Sequence, residues 1–123
     1  MKTEELIEYA RKAQARAKAP YSNYKVGAAL LTEDGTVILG CNIESKAYPS
    51  TMCAERVAIF SALAQGYQKF QAMALITDDG GTPCGACRQV MLENLGNIPV
   101  YIAGENGDHL TLTIEELLPH PFK

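Results

Sequence analysis

The 123 residues, 47% hydrophobic and 20% charged with a formal net charge of -3, have the balance of an ordinary globular domain, so a single domain over 1–123 is expected, with one core and no long disordered tail. Lysine and arginine, 11 in all against 14 acidic residues, are scattered, which leaves no basic stripe to neutralise phosphates and argues against a nucleic-acid partner. The start, Met1-Lys2-Thr3-Glu4-Glu5-Leu6, lacks the unbroken apolar run of a signal peptide or membrane span, so no membrane partner and a cytoplasmic location are expected.

Along the chain, Thr3 is the expected cap of a first helix with Glu4 and Glu5 in its opening turn, and Leu6, Ala10, Ala13 and Ala17 recur at helical spacing before Pro20 ends it. Val26 to Leu31 and Thr36 to Cys41 are apolar runs joined through Asp34-Gly35, the mark of an antiparallel hairpin. Met52 to Ala64 is apolar nearly all round, which predicts a helix buried between layers, closed by Gly66. Phe70 to Thr77 reads as a strand, and a Gly-rich loop leads into a helix from about Cys84 to Leu95 with Gly96 as its cap. Pro99 to Ala103 reads as another strand, followed by a turn, a short strand-like stretch and a capping box, Thr113-Ile114-Glu115-Glu116, for a last short helix. Strands that alternate with helices in the second half predict an α/β fold with a mixed sheet covered by helices.

Cys53-Ala54-Glu55 and Pro83-Cys84-Gly85-Ala86-Cys87 each open a predicted helix. Unpaired amides and the helix dipole favour a thiolate there. Cys84 and Cys87 project from one turn and can grip one ion, with Cys53 as a third sulfur. Structural zinc usually takes four protein ligands, whereas a catalytic ion keeps one position for water, so three sulfurs point to catalysis. Glu55 sits in a helix whose only other polar residues are Arg56 and Ser61. A carboxylate is costly to bury without a task, and beside an activated water the task is proton transfer. Arg56 is placed to donate to a sulfur and offset the excess thiolate charge.

Cys-Ala-Glu-Arg followed by Pro-Cys-Gly-Ala-Cys-Arg-Gln resembles the small, all-cysteine branch of the cytidine deaminase family. Tyr24 to Ala29, Gly40 to Glu44, and Leu117-Leu118-Pro119 through Phe122 fall where that family has matching segments. The resemblance implies a three-layer α-β-α fold with a five-stranded mixed sheet, and a homotetramer with one Zn²⁺ per subunit on Cys53, Cys84 and Cys87. It also implies hydrolysis of free cytidine and 2′-deoxycytidine to uridine and 2′-deoxyuridine plus ammonia. Zinc-activated hydroxide would attack carbon 4 while Glu55 moves the protons. Substrate binding is implied for Asn42 and Glu44 at the sugar 3′-hydroxyl, and for the Ala54 amide at the base carbonyl. Tyr24 and Phe122 would flank the base, Phe122 from a neighbouring subunit. The family usually carries Phe where this chain has Tyr24.

Other readings are weaker. A thioredoxin-like redox pair accounts for Cys84 and Cys87 but gives no role to Glu55 or Asn42. A blasticidin S-type deaminase shares the zinc motifs, and Asn42 with Glu44 favours an ordinary nucleoside instead. Polynucleotide deaminases resemble the branch with His as first ligand, against Cys53 here. A non-enzymatic zinc module requires a fourth protein ligand. Cys41 in its apolar strand reads as a small buried hydrophobe, and His109 and His120 as surface histidines.

Overall fold

The computed structural model describes residues 1–122. Four helices and five strands follow in the order α1 (Thr3–Gln14), β1 (Gly27–Thr32), β2 (Val37–Cys41), α2 (Ala54–Ala64), β3 (Phe70–Ile76), α3 (Gly85–Leu95), β4 (Pro99–Ala103), β5 (His109–Thr113) and α4 (Ile114–Leu117). The strands form one mixed sheet in the order β2-β1-β3-β4-β5, antiparallel except for the parallel pair β3 and β4. That pair is the one joined through a helix, as a parallel connection requires.

Side chains alternate across the strands and build two cores. Leu6, Ile7 and Ala10 of α1 pack with Ala29 and Leu31 on one face. Residues of α2, α3 and α4 pack with Ala28 and Leu30 on the other. The result is the three-layer α-β-α sandwich expected from the sequence. Among the described residues, no helix is long and apolar enough to cross a membrane.

Several local signals act as expected. Gly35, Gly66 and Gly96 all have positive φ, at 90°, 94° and 75°. The hairpin loop consists of Glu33, Asp34 and Gly35, closed by the Thr32 amide donating to the Thr36 carbonyl. It is therefore a three-residue turn with a left-handed Gly, one residue longer than the tightest hairpins. The capping box at Thr113 and Glu116 is complete.

Three expectations need correction. Thr3 is already helical, and the cap position belongs to Lys2, which makes no side-chain capping bond. Acidic residues in the first turn and basic ones in the last support the helix ends instead. Second, α2 is an outer layer and is not enclosed: Phe60 is 43% and Leu63 36% exposed. Third, Cys41 is only half buried. It pairs with Gly27, whose open side faces α1, so its side chain lies on the sheet face opposite α2 and α3.

Gly40 seats α2 on the sheet. A Cβ there would lie 2.3 Å from the Ala54 carbonyl oxygen and 2.6 Å from the Ala58 amide nitrogen. Both are backbone atoms that cannot turn aside. Gly40→Ala is expected to cost about 3 kcal/mol, the upper range for overpacking a core. Urea denaturation of the variant beside the parent measures it, and an unchanged midpoint would contradict this account of the packing.

Candidate active site

The strand register gathers the site at one edge of the sheet. Gly27 at the start of β1 pairs with Cys41 at the end of β2 and with Ile76 at the end of β3. The segment before β1, the segment after β2 and the loop after β3 therefore meet. Ligands bind at such carboxyl ends of strands in open α/β sheets. A 3₁₀ turn at Tyr48–Ser50 and a short bridge between Ile43 and Met52 bring the start of α2 to the same place.

The sulfurs of Cys53, Cys84 and Cys87 lie within 4.8 Å of one another. Cys53 and Cys84 occupy the cap positions of α2 and α3, and Cys87 lies one turn into α3. Each helix thus begins one or two residues later than the sequence pattern predicts, which puts the thiols in front of free amides. With a Zn–S bond of about 2.3 Å, sulfurs this close can hold one ion together. Among the described residues, the cluster gathers no fourth donor. All four cysteines are free of disulfides.

Charge in the cluster is unequally shared. Cys53 is held down to about 5, first by a hydrogen bond from Cys87 and then by Arg56, while the same contact and burial push the Cys87 thiol up. Arg56 donates from Nη2 to Cys53 Sγ at 3.3 Å. Its Nε is buried and has no hydrogen-bond partner among the described residues.

Glu55 is buried, at 5% exposure. Burial pushes its carboxyl above the ordinary range, and the Cys53 charge adds to the effect. A carboxyl raised in this way holds its proton more readily than an exposed one, which suits a group that passes protons.

In front of these groups is a cavity of about 290 Å³. Cys53, Ala54, Glu55 and Cys84 line it, together with Tyr24, Asn42 and Glu44. Ala54 is the first residue of α2, so its amide has no partner within the helix. Asn42 takes the Val26 amide at 2.9 Å on its carbonyl and donates to the Tyr24 carbonyl at 2.7 Å. Glu44 accepts from the amides of Tyr21 and Ser22 at 2.9 and 3.2 Å and from the Ser22 hydroxyl. Those bonds hold its carboxyl below the usual glutamate range. Both residues therefore order the segment before β1 while they face the cavity.

Phe122 is not in this group. It is 87% exposed and does not line the cavity. The Gln89 side chain accepts from its amide at 3.1 Å and donates to its carbonyl at 3.2 Å, which turns the ring outward. Sequence reasoning missed Ser22, Thr77, Gly81 and Thr82, which also line the cavity. The Thr77-Asp78-Asp79-Gly80-Gly81 run after a strand is a turn signature that marks this loop.

Comparison with known proteins agrees with this geometry. Residues 1–102 match the family model described as the cytidine and deoxycytidylate deaminase zinc-binding region. A cytidine deaminase of Sporosarcina psychrophila is 49% identical over 99% of this chain and 92% of its own length. One from Halalkalibacterium halodurans is 46% identical over 95% and 91%. The crystal structure of cytidine deaminase from Burkholderia pseudomallei superposes with a TM-score of 0.94 at 47% identity, covering 99% of this chain and 100% of that one. The matched region and the three-sulfur cluster together give one zinc per subunit. By fold, metal cluster and relatedness over nearly its whole length, the chain belongs to the cytidine and deoxycytidylate deaminase family of zinc-dependent hydrolases.

Proposed function

We propose that the chain hydrolyses the exocyclic amine of free cytidine and 2′-deoxycytidine, giving uridine or 2′-deoxyuridine and ammonia. The observation that carries this reading is a three-sulfur cluster beside a buried glutamate, both facing a cavity whose wall includes Asn42 and Glu44. Cys53, Cys84 and Cys87 would hold zinc, which when bound would supply a Lewis acid able to make water nucleophilic at neutral pH. Glu55 accepts a proton from the attacking water, delivers it to ring nitrogen 3, and helps protonate the departing amine. The Ala54 amide donates to the base carbonyl oxygen, a role suited to a helix start. Asn42 and Glu44 bind the sugar 3′-hydroxyl, a contact that a bare base cannot make. Tyr24 flanks the base.

The acting form is a homotetramer in the cytoplasm, where reducing conditions leave the thiols free for metal. The outward ring of Phe122, fixed through its backbone by Gln89, supports a contribution to a neighbouring subunit's cavity.

The direct test follows ultraviolet absorbance as pure protein meets cytidine, with and without a chelator. Cytosine, cytidine monophosphate and blasticidin S serve as parallel substrates. Turnover of cytidine that stops on chelation, with little on cytosine, is the expected result. Turnover of blasticidin S alone would replace the nucleoside reading, and a metal-loaded sample inert on all four would remove it.

Arg56 is a positioning group for the cluster. Arg56→Gln is expected to weaken zinc retention about 10–100-fold, the range for groups that support a metal's ligands. Zinc content after dialysis against a graded chelator series reads this directly. Retention equal to the parent's would show that the Arg56 contact to Cys53 does not matter.

A further inference from the structure

The Tyr24 hydroxyl donates to Asp79 Oδ1 at 2.7 Å. These residues are 55 positions apart. One stands on the segment before β1, the other in the loop between β3 and α3 that ends at Cys84. The same carboxylate oxygen takes the Gly81 amide at 3.0 Å and the Thr77 hydroxyl at 3.2 Å, so the loop is wound around it. The buried Thr77 hydroxyl in turn accepts from the Gly81 amide at 2.9 Å.

Room for the tyrosine hydroxyl comes from a missing side chain. A Cβ on Gly81 would lie 2.8 Å from the Tyr24 oxygen and 3.2 Å from Asp79 Oδ1. Tyr24, Asp79 and Gly81 therefore fit as a set, and Tyr24, Thr77 and Gly81 all line the cavity.

From this geometry we infer that Asp79 is a positioning residue for substrate binding, a clasp that engages the Tyr24 hydroxyl and fixes the ring as one wall of the cavity. The inference rests on the reading of that cavity as a nucleoside site. Tyr24 then offers a ligand its ring, because its O–H is already committed to the protein. The clasp also joins the segment that Asn42 and Glu44 order to the loop that delivers Cys84. Hydrogen bonds from Tyr24 and the Gly81 amide hold the Asp79 carboxyl below the usual aspartate range, so it stays an ionised acceptor at neutral pH. A bond to an ionised acceptor is stronger than a neutral one. A wall ordered in advance lowers the ordering cost of binding, so its loss falls on KM more than on kcat.

The test compares zinc-loaded Asp79→Ala, Asp79→Asn, Tyr24→Phe and the double variant Tyr24→Phe with Asp79→Ala against the parent. Steady-state kinetics on cytidine and calorimetric affinity for uridine are the readouts. Tyr24→Phe is expected to raise KM and the uridine Kd about fivefold, as loss of one exposed charge-assisted bond and its preorganisation would do, and Asp79→Ala at least as much, because it also frees Thr77 and the Gly81 amide. Asp79→Asn, whose amide oxygen still accepts, should recover most of that loss. The double variant should be no worse than Asp79→Ala, since the Tyr24 to Asp79 bond is already lost in that single variant.

Multiplying effects in the double variant, an unaltered Tyr24→Phe, or an Asp79→Asn as poor as the alanine variant would each overturn the clasp. If Asp79→Ala loses zinc or does not fold, Tyr24→Phe decides alone: a fivefold KM rise sustains the clasp and parental KM refutes it. A parent that leaves cytidine unchanged defeats the nucleoside reading itself, whereas an active parent with uncoupled variants defeats only the clasp.

Discussion

Glu55→Gln is expected to lower kcat on cytidine by about 10³-fold while the protein keeps its zinc, within the range that a positioned general acid and base contributes. The amide has the shape of the carboxyl but can neither take a proton from water nor return one. Because Glu55 is not among the three sulfur ligands, zinc content should match the parent's. Stability gives a second readout. Burial disfavours the Glu55 carboxylate, and an amide cannot carry that charge, so the thermal midpoint of the variant at neutral pH should equal or exceed the parent's. A variant with substantial turnover would leave the proton transfers without an agent. One that lost its zinc would recast Glu55 as part of the metal's support.

Cys87→Ala is expected to abolish turnover, to remove most of the bound zinc and to destabilise the fold. Cys53 caps α2, Cys84 caps α3 and Cys87 lies in the first turn of α3, so an ion on the three would tie two helices together. A ligand that binds only the folded state contributes about 4 kcal/mol when present at a thousand times its Kd. For a chain of this size that corresponds to a loss of roughly 10–20 °C in Tm. Cys87 is fully buried, but Cys to Ala removes one atom, so little of the loss comes from a cavity. Chelation of the parent supplies the control: both samples should melt at nearly the same temperature. If chelated parent and zinc-loaded parent melt together, the metal is no part of what holds the helices.

Much of this molecule is legible in the sequence because the deciding signals are local. Two cysteines three apart at a helix start, a carboxyl in an apolar helix, and glycines at positive φ each act within a few residues. The exposed face of α2 was not legible, because composition records that Phe60 and Leu63 are apolar and says nothing of which way they point. A neighbouring subunit in the proposed tetramer would account for both. The clasp between Tyr24 and Asp79 spans the chain, so no periodicity announces it. Asn42 and Glu44 were legible only through family resemblance. Their hydrogen bonds explain why: each serves the neighbouring backbone as an ordinary loop residue does, and only the fold turns the same groups toward a cavity.

The glycine at the start of β1 has a bearing on folding accuracy. Every residue of that strand is buried and its two faces carry similar small and aliphatic side chains, so a shift of one position would expose nothing oily to water. Hydropathy alone cannot choose between the frames. Gly27 can. Either neighbour in its place would drive a methyl or larger group to about 2.0 Å from the Ala10 carbonyl oxygen. The correct frame is thus selected by a collision in the wrong one, and the three chain segments that meet at the cavity reach it together because that single position admits no substitute.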